Sequence, residues 1–148
     1  MLKPTVAERT NAESKLPFFT KSFSVPVYGY DCTLVIGSVE EMNGWMQRKF
    51  KIPFNYEDGW TGCYLEFAAR DKWNRVIWLD GFKGQNTICD LVHECVHAAN
   101  GIYAAINANP DTENDEPFAY LVGHIFEQCI NILSQRSAAD AKAKTAAA

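Results

Sequence analysis

No run of about 18 consecutive apolar residues occurs in this chain, so nothing in it reads as a membrane span. Histidine is scarce, at 3 residues in 148. The five cysteines include no CxxC pair, and an odd number of that kind fits neither a disulfide framework nor a zinc knuckle. Reduced, mostly buried thiols in a cytoplasmic setting are expected instead. Positive charge is outweighed, 14 Lys and Arg against 18 Asp and Glu for a net -4, and no basic cluster interrupts the balance. That disfavours nucleic acid as a partner, because phosphates select a clustered basic face. The polar N-terminus lacks the apolar stretch of a signal peptide. The nucleophile elbow GxSxG of serine hydrolases is missing too.

What remains is an ordinary globular composition, 47% hydrophobic and 22% charged, at a length suited to one domain. Residues 1–15 are polar and unpatterned, and 137–148 (SAADAKAKTAAA) form an Ala/Lys-rich tail with nothing to bury. Both are expected to be flexible, although Ala and Lys would let the tail extend a helix. The domain is then 16–136.

Within it, residues 23–36 are rich in Val, Tyr and Phe, interrupted by Pro26 and Gly29, and read as an irregular strand or hairpin. Ser38 and Glu41 make a capping box before Val39, Met42, Trp45 and Met46, which predicts a helix over 39–50. Two short strands, 63–69 and 75–80, are expected to pair around Asp71–Asn74. A helix follows from about Thr87, with Asp90 as its capping partner, either to Ile106 or only to a stop at Asn100-Gly101. A last helix begins near Asp115, its N-cap, with Pro117 in the first turn. Strands in the first half and helices in the second give an α+β domain.

The chemistry lies in residues 93–97, His-Glu-Cys-Val-His. Positions i and i+4 share a helix face, so His93 and His97 can address one zinc ion. Glu94, about 100° round the helix, is then placed as a general base that does not ligate. Cys95 faces the core. Catalytic zinc needs a third protein ligand and an open position. A Gly at 100 and a His at 103 would supply one version, but the chain has Asn100 and Tyr103. Glu116 follows His97 after eighteen residues, in the segment Asn-Asp-Glu-Pro-Phe-Ala-Tyr over 114–120. Glu113 and Asp115 compete with it for the role.

Over roughly residues 87–127 the chain resembles the gluzincin peptidases, the thermolysin and aminopeptidase N class. It also looks like small HExxH proteins encoded by tailed bacteriophages. The resemblance implies a minimal zincin-like domain, with a small sheet N-terminal to the HExxH helix and a second, ligand-bearing helix. It assigns His93, His97 and Glu116 to one zinc ion and Glu94 to the base. It also makes strand 75–80 the candidate edge for an extended peptide, although its apolar residues equally suit a buried strand.

Tyr120, one turn beyond Glu116, is a candidate to stabilise the developing oxyanion or to hold a ligating imidazole. His124, two turns away, is read as peripheral. Trp60 and Trp73 fall in turns and suggest a cleft lining or a protein contact. The expected function is a cytoplasmic zinc-dependent hydrolase, most simply a metallopeptidase acting on a peptide or protein, with no membrane or nucleic-acid partner. The alternative is a zinc-stabilised structural or interaction protein without turnover, such as a phage particle component. Oligomeric state is not readable from these residues.

Overall fold

Side chains along a strand face opposite sides in turn, and here both sides are apolar. In the computed structural model, which describes residues 18–81 and 85–146, the strands are β1 (Phe19–Val25), β2 (Tyr30–Ile36), β3 (Gly62–Ala69) and β4 (Lys72–Leu79). The α-helices among the described residues are α1 (Val39–Phe50), α2 (Gln85–Ala105) and α3 (Glu116–Ala146). Leu34, Ile36, Ile77 and Leu79 point to one side of the sheet, where they meet Leu91, Cys95 and Ile102 of α2 and Leu121, Ile125 and Cys129 of α3. Val35, Val76 and Trp78 point to the other and bury Met42, Trp45 and Met46 of α1. The result is an α+β domain of three layers, with one helix below the sheet and two above it.

The strand order is β1-β2-β4-β3. β1 and β2 form an antiparallel hairpin, joined by a short 3-10 turn at Pro26–Tyr28 and by Gly29, whose φ of 68° closes the turn. β3 and β4 form a second antiparallel hairpin. The two hairpins meet where β2 and β4 run parallel, over only Thr33–Ile36 against Val76–Leu79. A parallel pair needs a crossover, and α1 followed by β3 provides it.

Local signals set several boundaries. Ser38 accepts from the Glu41 amide at 3.2 Å while the Glu41 carboxylate accepts from the Ser38 amide at 2.7 Å, so the capping box forms and α1 spans Val39–Phe50. The β3–β4 turn falls earlier than Asp71–Asn74. Arg70 and Asp71 both adopt positive φ, 53° and 61°, and this two-residue turn frees Lys72–Asn74 to extend β4. α2 has begun by Gln85, so Thr87 is buried inside the helix rather than capping it. The last helix continues to Ala146, and the expected flexible tail is helical as far as that residue. The expectation for residues 1–15 lies outside the described residues.

β4 is an interior strand between β2 and β3, which corrects the expectation that it offers the free edge. That edge belongs to β3. α2 also passes through Asn100-Gly101 without stopping, for a packing reason. A Cβ on Gly101 would stand 2.5 Å from Tyr64 Oη and 2.8 Å from Glu66 Oε2, so glycine serves the approach of α2 to β3. Glu66 cannot easily yield, because it accepts from the buried Arg75 at 2.7 Å. On an exposed helix Gly→Ala would gain about 1 kcal/mol. At this contact we expect Gly101→Ala to destabilise the fold by about 1–3 kcal/mol, read from the urea midpoint. A midpoint at or above wild type would show that the α2–β3 contact is looser than described.

Candidate metal and hydrolase site

Burial of Leu91, Cys95, Ala98 and Ile102 fixes how α2 is rotated, and His93 and His97 consequently face outward, one turn apart. Their rings stand 4.7 Å apart, inclined at 76°, with Nε2 3.0 Å from Nε2. Two nitrogens bound to one tetrahedral zinc at about 2.0–2.1 Å stand about 3.3 Å apart. Opening the pair by a few tenths of an ångström therefore suits it to two coordination positions.

A cavity of about 700 Å³ opens over the pair. α2 contributes Cys89, Asp90, His93, Glu94 and His97, β3 contributes Gly62, Cys63 and Tyr64, and the preceding loop contributes Gly59, Trp60 and Thr61. Gly62 permits close contact at the cavity floor. A Cβ there would meet the Leu79 side chain at 2.9 Å, the Trp78 carbonyl oxygen at 3.1 Å and Glu94 Cγ at 3.5 Å.

Glu94 is only 6% exposed, although it is charged in ordinary water at neutral pH. Burial raises its pKa, while the adjacent His93 and His97, together with a hydrogen bond from the Tyr64 backbone amide, pull it back down. Asp90 adds a smaller push upward. The carboxylate is thus desolvated but oriented, a suitable condition for proton transfer. Cys63 does not compete as a nucleophile. Burial, and then the Glu94 charge, push its thiol up to about 12, so at neutral pH it keeps its proton.

Cys95, as expected, is fully buried on the core side. It lies against Cys129 of α3, whose pKa is raised first by its hydrogen bond with Cys95 and then by burial. This contact decides where Glu116 stands. Cys129 lies against Cys95, and Phe118 meets Tyr103 edge-on at 5.2 Å, so α3 runs antiparallel to α2. Glu116 is thirteen residues before Cys129, or about 20 Å along the helix. The structure leaves it exposed at the far end of α2 and does not bring it to the histidines. Glu113 and Asp115 are likewise exposed in the segment before α3. Among the described residues, no group of three or more His, Cys, Asp and Glu side chains is arranged to hold a metal ion.

Tyr120 also stands apart. It is 74% exposed and lines a separate groove with Val27, Tyr28, Pro117 and His124. His124 Nε2 lies 3.3 Å from the Ser24 carbonyl oxygen. Trp60 does line the His93–His97 cavity, whereas the exposed Trp73 lies elsewhere. Asp90, which the sequence marks only as a helix-capping partner, lines the cavity one turn before Glu94 and three residues before His93. The Tyr64 amide is a backbone donor and leaves no trace in residue types.

Compared with known proteins, the chain matches no family model, no curated protein and no solved structure.

The environment of Glu94 predicts a stability effect with a definite sign. A carboxyl whose pKa is raised by folding opposes the fold while it is ionised, and this opposition disappears as falling pH protonates it. Metal-free Glu94→Gln should therefore melt above wild type at pH 7, the amide oxygen still accepting from Tyr64. The gap should narrow towards pH 4 in parallel calorimetric scans. A variant less stable than wild type at neutral pH would mean that the charge is well solvated in the fold.

Proposed function

We propose that this chain is a zinc-dependent hydrolase, most simply a metallopeptidase, in which His93 and His97 hold the ion and Glu94 is the general base. The observation that carries the reading is the 3.0 Å approach of the two imidazole nitrogens at a cavity that has the desolvated Glu94 carboxylate in its wall. Bound there, zinc would acidify water and polarise a substrate carbonyl. Glu94 would take the proton at its carboxylate and return it to the leaving amine. Trp60 and the β3 wall would limit access of bulk water to that transfer.

Binding of an extended substrate is supported by β3, the edge strand that borders the cavity with Gly62, Cys63 and Tyr64. Its outer side has no strand partner among the described residues, which suits it to strand addition along a peptide. The further metal donor in this reading comes from the lining itself. Asp90 is the carboxylate there besides Glu94, and Cys89 supplies a thiol one turn before His93. Glu116 and Tyr120 are left without a role in the chemistry.

The distance of Glu116 from the pair favours a second reading, a zinc-stabilised interaction protein that binds without turnover, the partner completing the donor set. Glu94→Gln separates the two. A hydrolase should lose about 100-fold or more of its activity on an unstructured protein substrate and keep its zinc. An interaction protein should bind its partner unchanged.

Elemental analysis of chelator-free protein tests the donor set. Wild type should carry about one zinc per chain, His97→Ala should lose it, and Glu116→Ala should retain it. Loss of zinc from Glu116→Ala would instead mean that the start of α3 closes on the ion. A wild-type chain that takes up no added zinc would remove the basis for hydrolysis altogether.

A further inference from the structure

Four elements end at one pole of the domain: β1, α1, β3 and α2. The β1–β2 turn at Pro26–Gly29, the β3–β4 turn at Arg70 and Asp71 and the start of α3 lie there with them. Ring contacts tie the pole together. Tyr28 of the first turn stands 6.1 Å from Tyr103 of α2, which stands 5.2 Å from Phe118 of α3. Phe50 at the end of α1 meets Phe67 of β3 at 4.9 Å. Trp73, just after the second turn, borders a cavity with Ala104 and Ala105 at the end of α2. The His93–His97 cavity is at the other pole, where β3 starts and α2 begins, so this surface is separate from the proposed chemistry.

Of the seven large hydrophobic side chains exposed among the described residues, four stand at this pole: Val27, 87% exposed, Trp73, 63% exposed, Ile106 and Tyr120. Hydrophobic side chains gathered on one surface mark a contact more often than scattered ones do.

Charge at the same pole falls into two blocks. From Gln85 to Gln135 the chain has no Lys or Arg and seven Asp and Glu. Four of those carboxylates, Asp111, Glu113, Asp115 and Glu116, are exposed where α2 passes to α3. They form no ion pair among the described residues. On the α1 side of the sheet, Lys49 and Lys72 stand with Arg70 of the turn. The Lys49 pKa is lowered by partial burial and then by Lys72 and Arg70, as expected of cations held close together. Asp71 shares the turn with Arg70, and Asp31 accepts from Ser24 Oγ at 2.7 Å. Between the acidic and the basic block lies the end of the sheet, from which Val27 and Trp73 project.

We propose that this pole is a two-fold interface between two copies of the chain. A surface with an acidic block, an apolar middle and a basic block is self-complementary. A two-fold axis through the middle lays the acidic block of each copy on the basic block of the other. Trp73 packs near the centre, where aromatic side chains contribute most to binding. Three layers about 10 Å apart and four strands about 4.8 Å apart give this pole a face of roughly 30 by 20 Å. That is comparable with the ~800 Å² each partner of a standard interface covers. Both His93–His97 cavities face away from the contact and stay open.

The test is analytical ultracentrifugation of the full chain over a concentration series at low salt. Wild type should pass from monomer to dimer, and added salt should shift it back towards monomer. Arg70→Glu/Lys72→Glu sets acid against acid in both halves of the interface, and Glu113→Lys/Glu116→Lys sets base against base. All four positions are exposed, and each double variant alone should weaken dimerisation by about tenfold or more. Mixed in equal amounts, the two should form a heterodimer about as tight as the wild-type dimer, because every acidic block again meets a basic one. Trp73→Ala should also weaken the dimer by about tenfold or more, with its circular dichroism unchanged. A wild-type chain that stays monomeric throughout would leave this pole to some other partner and overturn the proposal. So would a dimer indifferent to both charge reversals, or a mixture no tighter than its components.

Discussion

The close seating of α2 on β3 is the contact on which the site depends. Gly101 on the helix permits it, where a methyl group would collide with Tyr64 and Glu66; Gly62 on the strand instead keeps β3 close to Leu79 and the Trp78 backbone of β4, with Glu94 in ordinary contact above it. Because the helix lies this close, Glu94 is removed from water and meets the Tyr64 amide, while the neighbouring histidines on the same turn remain exposed. A looser seating would leave Glu94 hydrated, with an ordinary acidity and no fixed direction. Burial of this one carboxylate, the two neighbouring histidines and the Tyr64 amide together set its acidity.

The other side of α2 has the opposite character. Leu91, Cys95, Ala98 and Ile102 form a dry seam with Leu121, Ile125 and Cys129, which sets α3 antiparallel and out of reach of the cavity. The helix is therefore divided lengthwise between an apolar stripe that anchors it and a polar stripe left for chemistry. In the proposed zinc site, donors beyond the two histidines must come from the polar stripe, from β3 and its loop, or from a bound molecule. The antiparallel seam carries the start of α3 away from them.

Charge is divided as well. The net of -4 is a sum over the whole chain, and it conceals a local excess of basic residues at the end of the sheet, where Lys49, Arg70 and Lys72 stand together and Arg75 is held by Glu66 on the other face. These residues are spread over twenty-seven positions of sequence, so no basic run announces them. They converge because a two-residue turn and a short parallel pairing bring the ends of α1, β3 and β4 together.

Periodicity and local chemistry determined much by themselves. The capping box at Ser38 and Glu41 set α1 to the residue, apolar and aromatic stretches between turn residues marked the strands, and the i, i+4 spacing of His93 and His97 placed both rings on one helix face. All of these interactions act within a few residues, so the sequence carries them directly. The tertiary structure alone decided that β4 is interior and β3 the edge, that Gly101 is a packing contact and not a helix stop, and that Glu116 and Tyr120 lie away from the histidines. Each of those outcomes depends on which apolar faces meet. A spacing of eighteen residues fixes how far the chain can reach, but the packing of Cys95 against Cys129 fixes the direction in which it returns.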